Sequence, residues 1–243
     1  MKAEDSERTL KALRAELERD TRVNLHRSRI AMSTTGQAIR LDGEVPDLPT
    51  KRIAANVCQQ LAGSDATVED HLCVVTEARP DRALSREIGE RLASELAFQR
   101  SAIECRDDGH TEVLQRPEHA EQAIAIDVDD GIVELRGRVA SLSHRRLAEA
   151  LCWWVSGCRR VDNALEVEPR QDDSDDVLND AVRLVLEADP LVDASQLRTG
   201  AAAGIVAVEG FLPNRETHTL ALRDIWAVGG VWDVYDRIRS GAG

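Results

Sequence analysis

The chain has 243 residues, a formal net charge of −13 and only 3% aromatic residues. This acidity disfavours non-specific nucleic-acid binding, which needs a basic surface, so no nucleic-acid partner is expected. The five cysteines stand at irregular spacing, which is not typical of a disulfide framework. The start, MKAEDSERTLKALRAELERD, lacks the apolar segment of a secretory signal. We therefore expect a cytoplasmic protein, with a periplasmic location as the alternative if the start site is mis-assigned.

The same order of elements (helix, strand, strand, helix, strand) is predicted three times, in residues 1–77, 78–170 and 171–243. Each copy begins with an amphipathic helix, whose apolar residues recur at helical spacing. These residues are Leu10, Leu13 and Leu17; Leu84, Ile88 and Leu92; and Leu178, Val182 and Leu186. The second copy is longer than the others because an insertion at about residues 99–123 follows its first helix.

Each copy continues with a strand of alternating apolar residues that has a glycine on its apolar side. The three versions are AIRLDGEV around Gly43, IVELRGRV around Gly137 and IVAVEGFL around Gly210. In the second and third copies another glycine, Gly131 or Gly204, opens this strand and suits a hairpin turn. A phosphate-binding loop would need its glycines between a strand and a helix N-terminus. We therefore interpret all these glycines as structural, and expect the central one to make room for the crossing helix or to relax a bulge.

A second amphipathic helix follows this strand and ends near another glycine, 20 positions after the first. These later glycines are Gly63, Gly157 and Gly230. A short strand then closes each copy. The sequence thus predicts an α+β fold of three tandem α-β-β-α-β units, each a three-stranded sheet with two helices on one face.

The repeated frame resembles the BON domain, the bacterial OsmY and nodulation family, whose hallmark strand has the form G-x-V-x-L-x-G-x-V. The matching residues of the second copy are Gly131, Val133, Leu135, Gly137, Gly157 and Asn163. The other copies have Asp70 and Asp236 where the family has asparagine. The resemblance implies a non-catalytic binding or docking module with no catalytic residues and no cofactor. It also implies association with phospholipid membranes or assembly with other proteins.

Tryptophans on the second helix of two copies are candidates for a contact surface. The apolar stripe places Trp153 opposite the buried face of its helix and Trp154 at the edge of that face. Trp226 holds the position of Trp153 in the third copy. An outward tryptophan usually needs a partner surface, although packing against a neighbouring repeat or the insertion is the alternative. Polar Asp224 and apolar Leu222 suggest that the third-copy helix is rotated, which would bury Trp226.

Basic pairs near the start of the second helix recur in two copies, as Lys51 with Arg52 and Arg145 with Arg146. They could contact phosphate head groups, and the alternative is a solvated helix face. Residues 171–243 contain 13 acidic and six basic residues, a net charge of −7. The net charge is −1 for residues 1–76 and −5 for residues 77–170. If any copy approaches an anionic surface, the first is therefore the least repelled.

The insertion contains side chains that can bind metals but lacks a recognised zinc spacing. These residues are Cys105, Asp107, Asp108, His110, Glu112, Glu118 and His119. A solvated polar loop is expected here, without a metal site.

Taken together, the residues and the resemblance predict a non-catalytic binding or scaffold protein. Its leading interpretation is phospholipid or membrane-surface association, linked to envelope or stress physiology. A cytoplasmic protein–protein adaptor or self-assembly module is the alternative. A metal- or ion-binding regulator is a weaker one.

Overall fold

The computed structural model describes residues 3–35, 38–63, 66–107 and 109–241. The chain divides into two compact units, Met1–Val75 and Thr76–Gly243. Among the described residues, no helix is both long enough and apolar enough to cross a membrane.

The first unit contains two helices and a three-stranded sheet. Its elements are α1 (Ala3–Arg19), β1 (Arg29–Thr35), β2 (Ala38–Val45), α2 (Leu48–Ala62) and β3 (Val68–Val74). The strands lie in the order β1-β2-β3, with β2 antiparallel to β1 and parallel to β3. The core lies between the sheet and the helices, where Leu13 and Leu17 of α1 and Leu41 of β2 are fully buried.

The second unit begins with a helix, a five-stranded sheet and a second helix. Its first elements are α3 (Asp81–Ser94), β4 (Ser101–Asp107), β5 (His110–Gln115), β6 (Gln122–Asp129), β7 (Ile132–Val139), α4 (Leu142–Trp153) and β8 (Arg160–Val167). The strands lie in the order β5-β4-β6-β7-β8. The helix α4 begins after Ser141, whose side chain accepts a hydrogen bond from the His144 backbone N–H and so caps the helix.

The last part of the second unit repeats the arrangement of the first unit. Its elements are α5 (Asp175–Ala188), β9 (Leu197–Ala202), β10 (Ile205–Leu212), α6 (Arg215–Ala227) and β11 (Asp233–Ser240). The strands lie in the order β11-β10-β9, with β10 central. Burial alternates along β10, so that Val206, Val208 and Leu212 face the helices and the residues between them face outward.

The predicted α+β fold of repeated units is confirmed, but the sheet of the middle copy has five strands and not three. The prediction of a solvated loop in the insertion is wrong, because the insertion forms the hairpin β4–β5. Strand β4 pairs in parallel with β6, and Ile103 and Cys105 on β4 are buried. The alternation of Ile103 and Cys105 with Glu104 and Arg106 is a strand signal.

The glycine on the apolar side of β2, β7 and β10 meets the backbone of the preceding chain segment, and not the crossing helix as expected. Gly137 has φ +124°, and a Cβ atom there would overlap the carbonyl oxygen of Ala123 on β6. The equivalent pairs are Gly43 with Arg29 and Gly210 with Gln196. A side chain at this position would therefore be strained by both backbone conformation and contact.

The predicted hairpin turns are present in the second and third repeats. Asp130 and Gly131 both have positive φ, as do Ala203 and Gly204, which is the conformation of a two-residue turn. The Asp81 carboxylate accepts hydrogen bonds from the backbone N–H groups of Asp130 (3.0 Å) and Gly131 (2.9 Å). These contacts leave the glycine in a structural role.

Candidate binding surface

Lys51 lies inside the first unit, so the prediction that it contacts phosphate head groups is wrong. The residue is only 4% exposed. Its Nζ donates to the carbonyl oxygen of Leu72 at 2.8 Å and lies 2.8 Å from Oδ1 of Asp70. Burial lowers the pKa of Lys51, and the Asp70 carboxylate opposes this effect. Its neighbour Arg52 is half-buried.

The second copy has the same link between its second helix and its last strand. Arg145 stands where the first copy has Lys51, and its Nη2 donates to the carbonyl oxygen of Asn163 at 3.0 Å. Nδ2 of Asn163 donates in return to the carbonyl oxygen of Arg145 at 2.9 Å. Arg145 therefore ties α4 to β8.

In the third copy His218 holds this position, and its Nε2 lies 2.8 Å from Oδ2 of Asp236. The side-chain oxygen at the asparagine position also accepts the backbone N–H two residues later, as Asp236 does from Ile238 at 2.9 Å. Asp70 and Asn163 make the same contact with Leu72 and Leu165. The asparagine position is thus part of the scaffold.

Arg146, the other predicted head-group contact in the second copy, links that copy to the third. Its Nε donates to the carbonyl oxygen of Gly229 at 2.7 Å, and its Nη2 lies 2.8 Å from Oδ2 of Asp173. Its side chain is mostly buried. The prediction of a phosphate contact is therefore wrong for this residue.

Trp154 lies at the same junction between the second and third copies. The Arg91 guanidinium of α3 is 5.8 Å from the centre of its ring, and the Arg223 guanidinium of α6 is 5.6 Å away. Both distances suit cation–π attraction. Trp153 and Trp226 are half-buried. A contact surface at these two residues stays a prediction.

The helix α6 is not rotated, contrary to the expectation from Asp224 and Leu222. Asp224 is fully buried and Leu222 is half-buried. Ala221 and Ile225 on α6 are fully buried, as their counterparts are in the second copy, where Ala148 and Cys152 lie on the inner face of α4. The apolar periodicity shared with the second copy therefore predicts the buried face of α6 correctly. The inference of a rotated helix from the polar side chain of Asp224 is wrong.

The outer face of the third sheet carries aromatic residues that the sequence interpretation missed. Phe211 and Tyr235 are 53% and 56% exposed, and Ile205 on the same face is also exposed. The chain contains one tyrosine and two phenylalanines, and Phe98 is fully buried. The alternation of apolar residues in IVAVEGFL predicts that Phe211 lies on the outer face of the strand, opposite the core-facing residues.

Arginines surround these apolar side chains. The Arg237 guanidinium lies 4.7 Å from the centre of the Tyr235 ring, and a hydrogen bond from Arg237 lowers the pKa of Tyr235. In the strand register Arg239 is the partner of Phe211, and Arg198 is the partner of Glu209. We define the third-sheet face as Arg198, Ile205, Ala207, Glu209, Phe211, Asp233, Tyr235, Arg237 and Arg239.

The third-sheet face differs from the same face of the other two sheets. The second copy has Arg138 where the third has Phe211, and the first has Glu44. At the position of Tyr235 the others have Asp162 and Glu69. Ion pairs cover the face of the second sheet, as between Arg136 and Glu134 at 2.7 Å. Exposed aromatic rings are therefore a property of the third copy.

Four of the metal-capable residues of the insertion, Cys105, Asp107, His110 and Glu112, line one small pocket. Within the described ranges, no group of three or more His, Cys, Asp or Glu side chains could hold a metal ion. Cys105 points into the core, where its Sγ lies 3.3 Å from the Ser85 carbonyl oxygen. Burial raises the pKa of Cys105, opposed by that hydrogen bond. Asp108 lies outside the described residues.

The fold defines a protein built from tandem small α+β modules. Residues 111–169 and 174–242 match the model of the BON domain family. These segments cover more than half of the chain, which therefore belongs to the BON domain family, a family of non-catalytic binding domains. Residues 1–75 lie outside the matched segments but have the same order of elements.

Comparison with curated proteins finds no match. Among solved structures, the C-terminal domain of CdsD, a structural protein of the type III secretion system of Chlamydia trachomatis, is 12% identical. That similarity covers 95% of this chain and 96% of the CdsD chain, with a TM-score of 0.25. A second CdsD structure is 12% identical over 96% of this chain and 92% of that chain, with a TM-score of 0.24.

Proposed function

We propose that this chain is a binding or scaffold protein whose third-sheet face docks onto a membrane surface containing anionic phospholipids. One observation carries this proposal: Phe211 and Tyr235 are exposed beside Arg237 and Arg239 on a single sheet face. The proposal includes a role in envelope or stress physiology and a cytoplasmic location. It also treats residues 1–75 as a third BON-like repeat.

The chemistry of the third-sheet face suits the boundary between lipid head groups and acyl chains. Aromatic rings such as those of Phe211 and Tyr235 favour this boundary, because it has apolar acyl chains on one side and hydrated head groups on the other. The guanidinium of an arginine can donate two parallel hydrogen bonds to a phosphate. Three arginines against Glu209 and Asp233 make this face locally basic, although residues 171–243 carry a net charge of −7.

That net charge predicts a weak association that depends on salt. The acidic residues away from the face are repelled by the membrane, while the arginines in contact with it are attracted. Salt screens both interactions between separated charges. We therefore expect binding to anionic vesicles that weakens between low and moderate salt, and little binding to neutral vesicles.

Co-sedimentation of the full chain with vesicles tests this proposal. The wild-type protein should pellet with phosphatidylglycerol-containing vesicles and stay in the supernatant with phosphatidylcholine vesicles. The double variant Phe211→Ser/Tyr235→Ser should lose pelleting. Leu96→Ser is the matched control, because Leu96 is also exposed and belongs to the second copy, between α3 and β4. Equal pelleting of the double variant and the wild type would refute the assignment of this face.

A protein–protein adaptor or self-assembly module is the second candidate. The net charge of −13 favours it, because a protein partner can complement a basic face without bringing an extended anionic surface near the acidic residues. Light scattering over a range of protein concentrations separates the two candidates. Oligomers that form without lipid and are lost in the Phe211→Ser/Tyr235→Ser variant would support the adaptor.

A further inference from the structure

An aspartate occupies a core position in the third copy. Asp224 on α6 stands where the second copy has Leu151 and the first has Val57, and both of those residues are buried. Asp224 itself is 0% exposed. Among the described residues, its Oδ2 accepts no hydrogen bond. A charged carboxylate in such a place is costly unless it is fully paired.

One arginine serves two buried carboxyl groups at this position. Nη2 of Arg223 lies 2.9 Å from Oδ1 of Asp224 and 3.0 Å from Oδ2 of Asp189. Asp189, at the C-terminal end of α5, is also buried. A single guanidinium can balance one negative charge, so the pair is balanced only when one carboxyl is neutral.

The same arginine reaches the second copy of the repeat. Its guanidinium lies 5.6 Å from the centre of the Trp154 ring, at the end of α4. The neighbouring contact from Arg146 to Gly229 joins the same two copies. Arg223 thus connects the Asp224 carboxyl to the junction between the second and third copies.

We propose that the Asp224 carboxyl is a proton-sensitive switch for this junction. When Asp224 is neutral, Arg223 balances Asp189 and stays on the Trp154 ring. When Asp224 is ionised, a second negative charge is buried beside the same guanidinium, and states in which α6 moves to bring the carboxyl to water become more populated. This switch is a form of regulation beyond membrane docking and does not depend on it.

The direction of the titration agrees with this switch. Burial raises the pKa of Asp224 to about 7; Arg223 opposes the rise, and Asp189 adds to it. An opened state, with the carboxyl in water, returns the pKa towards 3.8. The closed junction therefore binds the proton more tightly and is favoured at low pH.

The other charged groups around α6 lie on the elements packed against it. These are Arg146 and Glu149 on α4, Arg91 on α3 beside Trp154, and Asp236 on β11, which pairs with His218. The strand β10 presents apolar Val206, Val208 and Leu212 to the core. Within the described residues, Asp224 (0% exposed) and Asp189 (5% exposed) are the buried carboxyl groups at this junction.

Hydrogen exchange of α6 amides in the full chain, measured between pH 5 and 9 and corrected for intrinsic exchange, tests the switch. The opening constant should rise about tenfold per pH unit up to about pH 7 and level off above about pH 8. Asp224→Asn and Asp224→Leu should both remove this slope. The leucine variant copies Leu151 and keeps an apolar core if the asparagine variant folds poorly.

Asp173→Asn is the matched control, because Asp173 pairs with Arg146 at the same junction but is exposed. This control should keep the wild-type slope. A carboxyl-carbon titration by NMR should place the midpoint for Asp224 near pH 7. A wild-type opening constant that varies less than about twofold over this range, or a slope that persists in both Asp224 variants, would overturn the switch.

Discussion

Replacing Asp224 by leucine should stabilise the Thr76–Gly243 unit, and the gain should grow as the pH rises. The substitution removes the carboxyl that is fully buried on α6 and restores the residue type that the second copy has at this position, Leu151. The leucine cannot ionise, so the pH-dependent cost of a buried charge disappears. Arg223 keeps its contact with Asp189.

The magnitude follows from the linkage between proton binding and unfolding. The pKa of Asp224 is about 7 in the folded chain, and the ordinary pKa of an aspartate in water is 3.8. Between these values the folded state therefore binds more protons than the unfolded state. The stability that the neutral carboxyl contributes is complete below the unfolded pKa and is lost as the pH rises through the folded pKa. At about 1.4 kcal/mol per pKa unit, the difference in unfolding free energy between variant and wild type should increase by about 2.5 kcal/mol from pH 5 to pH 8.

Urea denaturation of both proteins at pH 5, 6, 7 and 8 measures this difference. Using the difference between variant and wild type cancels the titration of groups that the substitution does not touch. A difference that stays constant within about 0.5 kcal/mol across the four pH values would refute the reasoning. It would mean that Asp224 is paired or hydrated well enough to ionise normally in the folded state.

Three further substitutions test the scaffold, each by thermal and urea denaturation. Gly137→Ala should destabilise the second unit by about 1–3 kcal/mol, because a Cβ atom at this positive φ overlaps the Ala123 carbonyl oxygen; an unchanged midpoint would contradict this. Lys51→Met should cost about 2 kcal/mol in the first unit by leaving Asp70 without its 2.8 Å partner, and a stabilised variant would show that the pair is dispensable. Trp154→Leu should cost about 2 kcal/mol by removing two cation–π contacts and ring packing, and an effect below about 0.5 kcal/mol would show that the ring does not hold the junction.

Much of the fold could be predicted from local pattern. The alternation around Gly43, Gly137 and Gly210 identified one strand of each sheet, and the turn at Asp130–Gly131 followed from its residues. These features depend on neighbours within a few positions, so the sequence contains the information directly. The insertion has the same alternation around Ile103, which predicts a strand. Its many polar residues favoured the wrong prediction of a solvated loop.

Part of the third-sheet face could also be predicted from the sequence. Phe211 lies on the outward side of its strand by simple alternation. Its partner Tyr235 lies on a strand that comes after a whole helix, and only the parallel pairing of β10 with β11 brings both rings to one face. That pairing is a property of the assembled sheet.

The sequence by itself determined the repeated frame, the fold class and the outward direction of Phe211. Only the tertiary structure decided which polar residues are buried. The sequence pattern favours a surface position for Lys51 and an outward position for Asp224, yet both lie in the core. The partner of Lys51 is Asp70 on β3. Asp224 contacts Arg223 on its own helix, and Arg223 also binds Asp189 at the end of α5. The cost of burying a charge depends on partners that meet only in the folded chain. Periodicity alone therefore cannot predict which charged residues are buried.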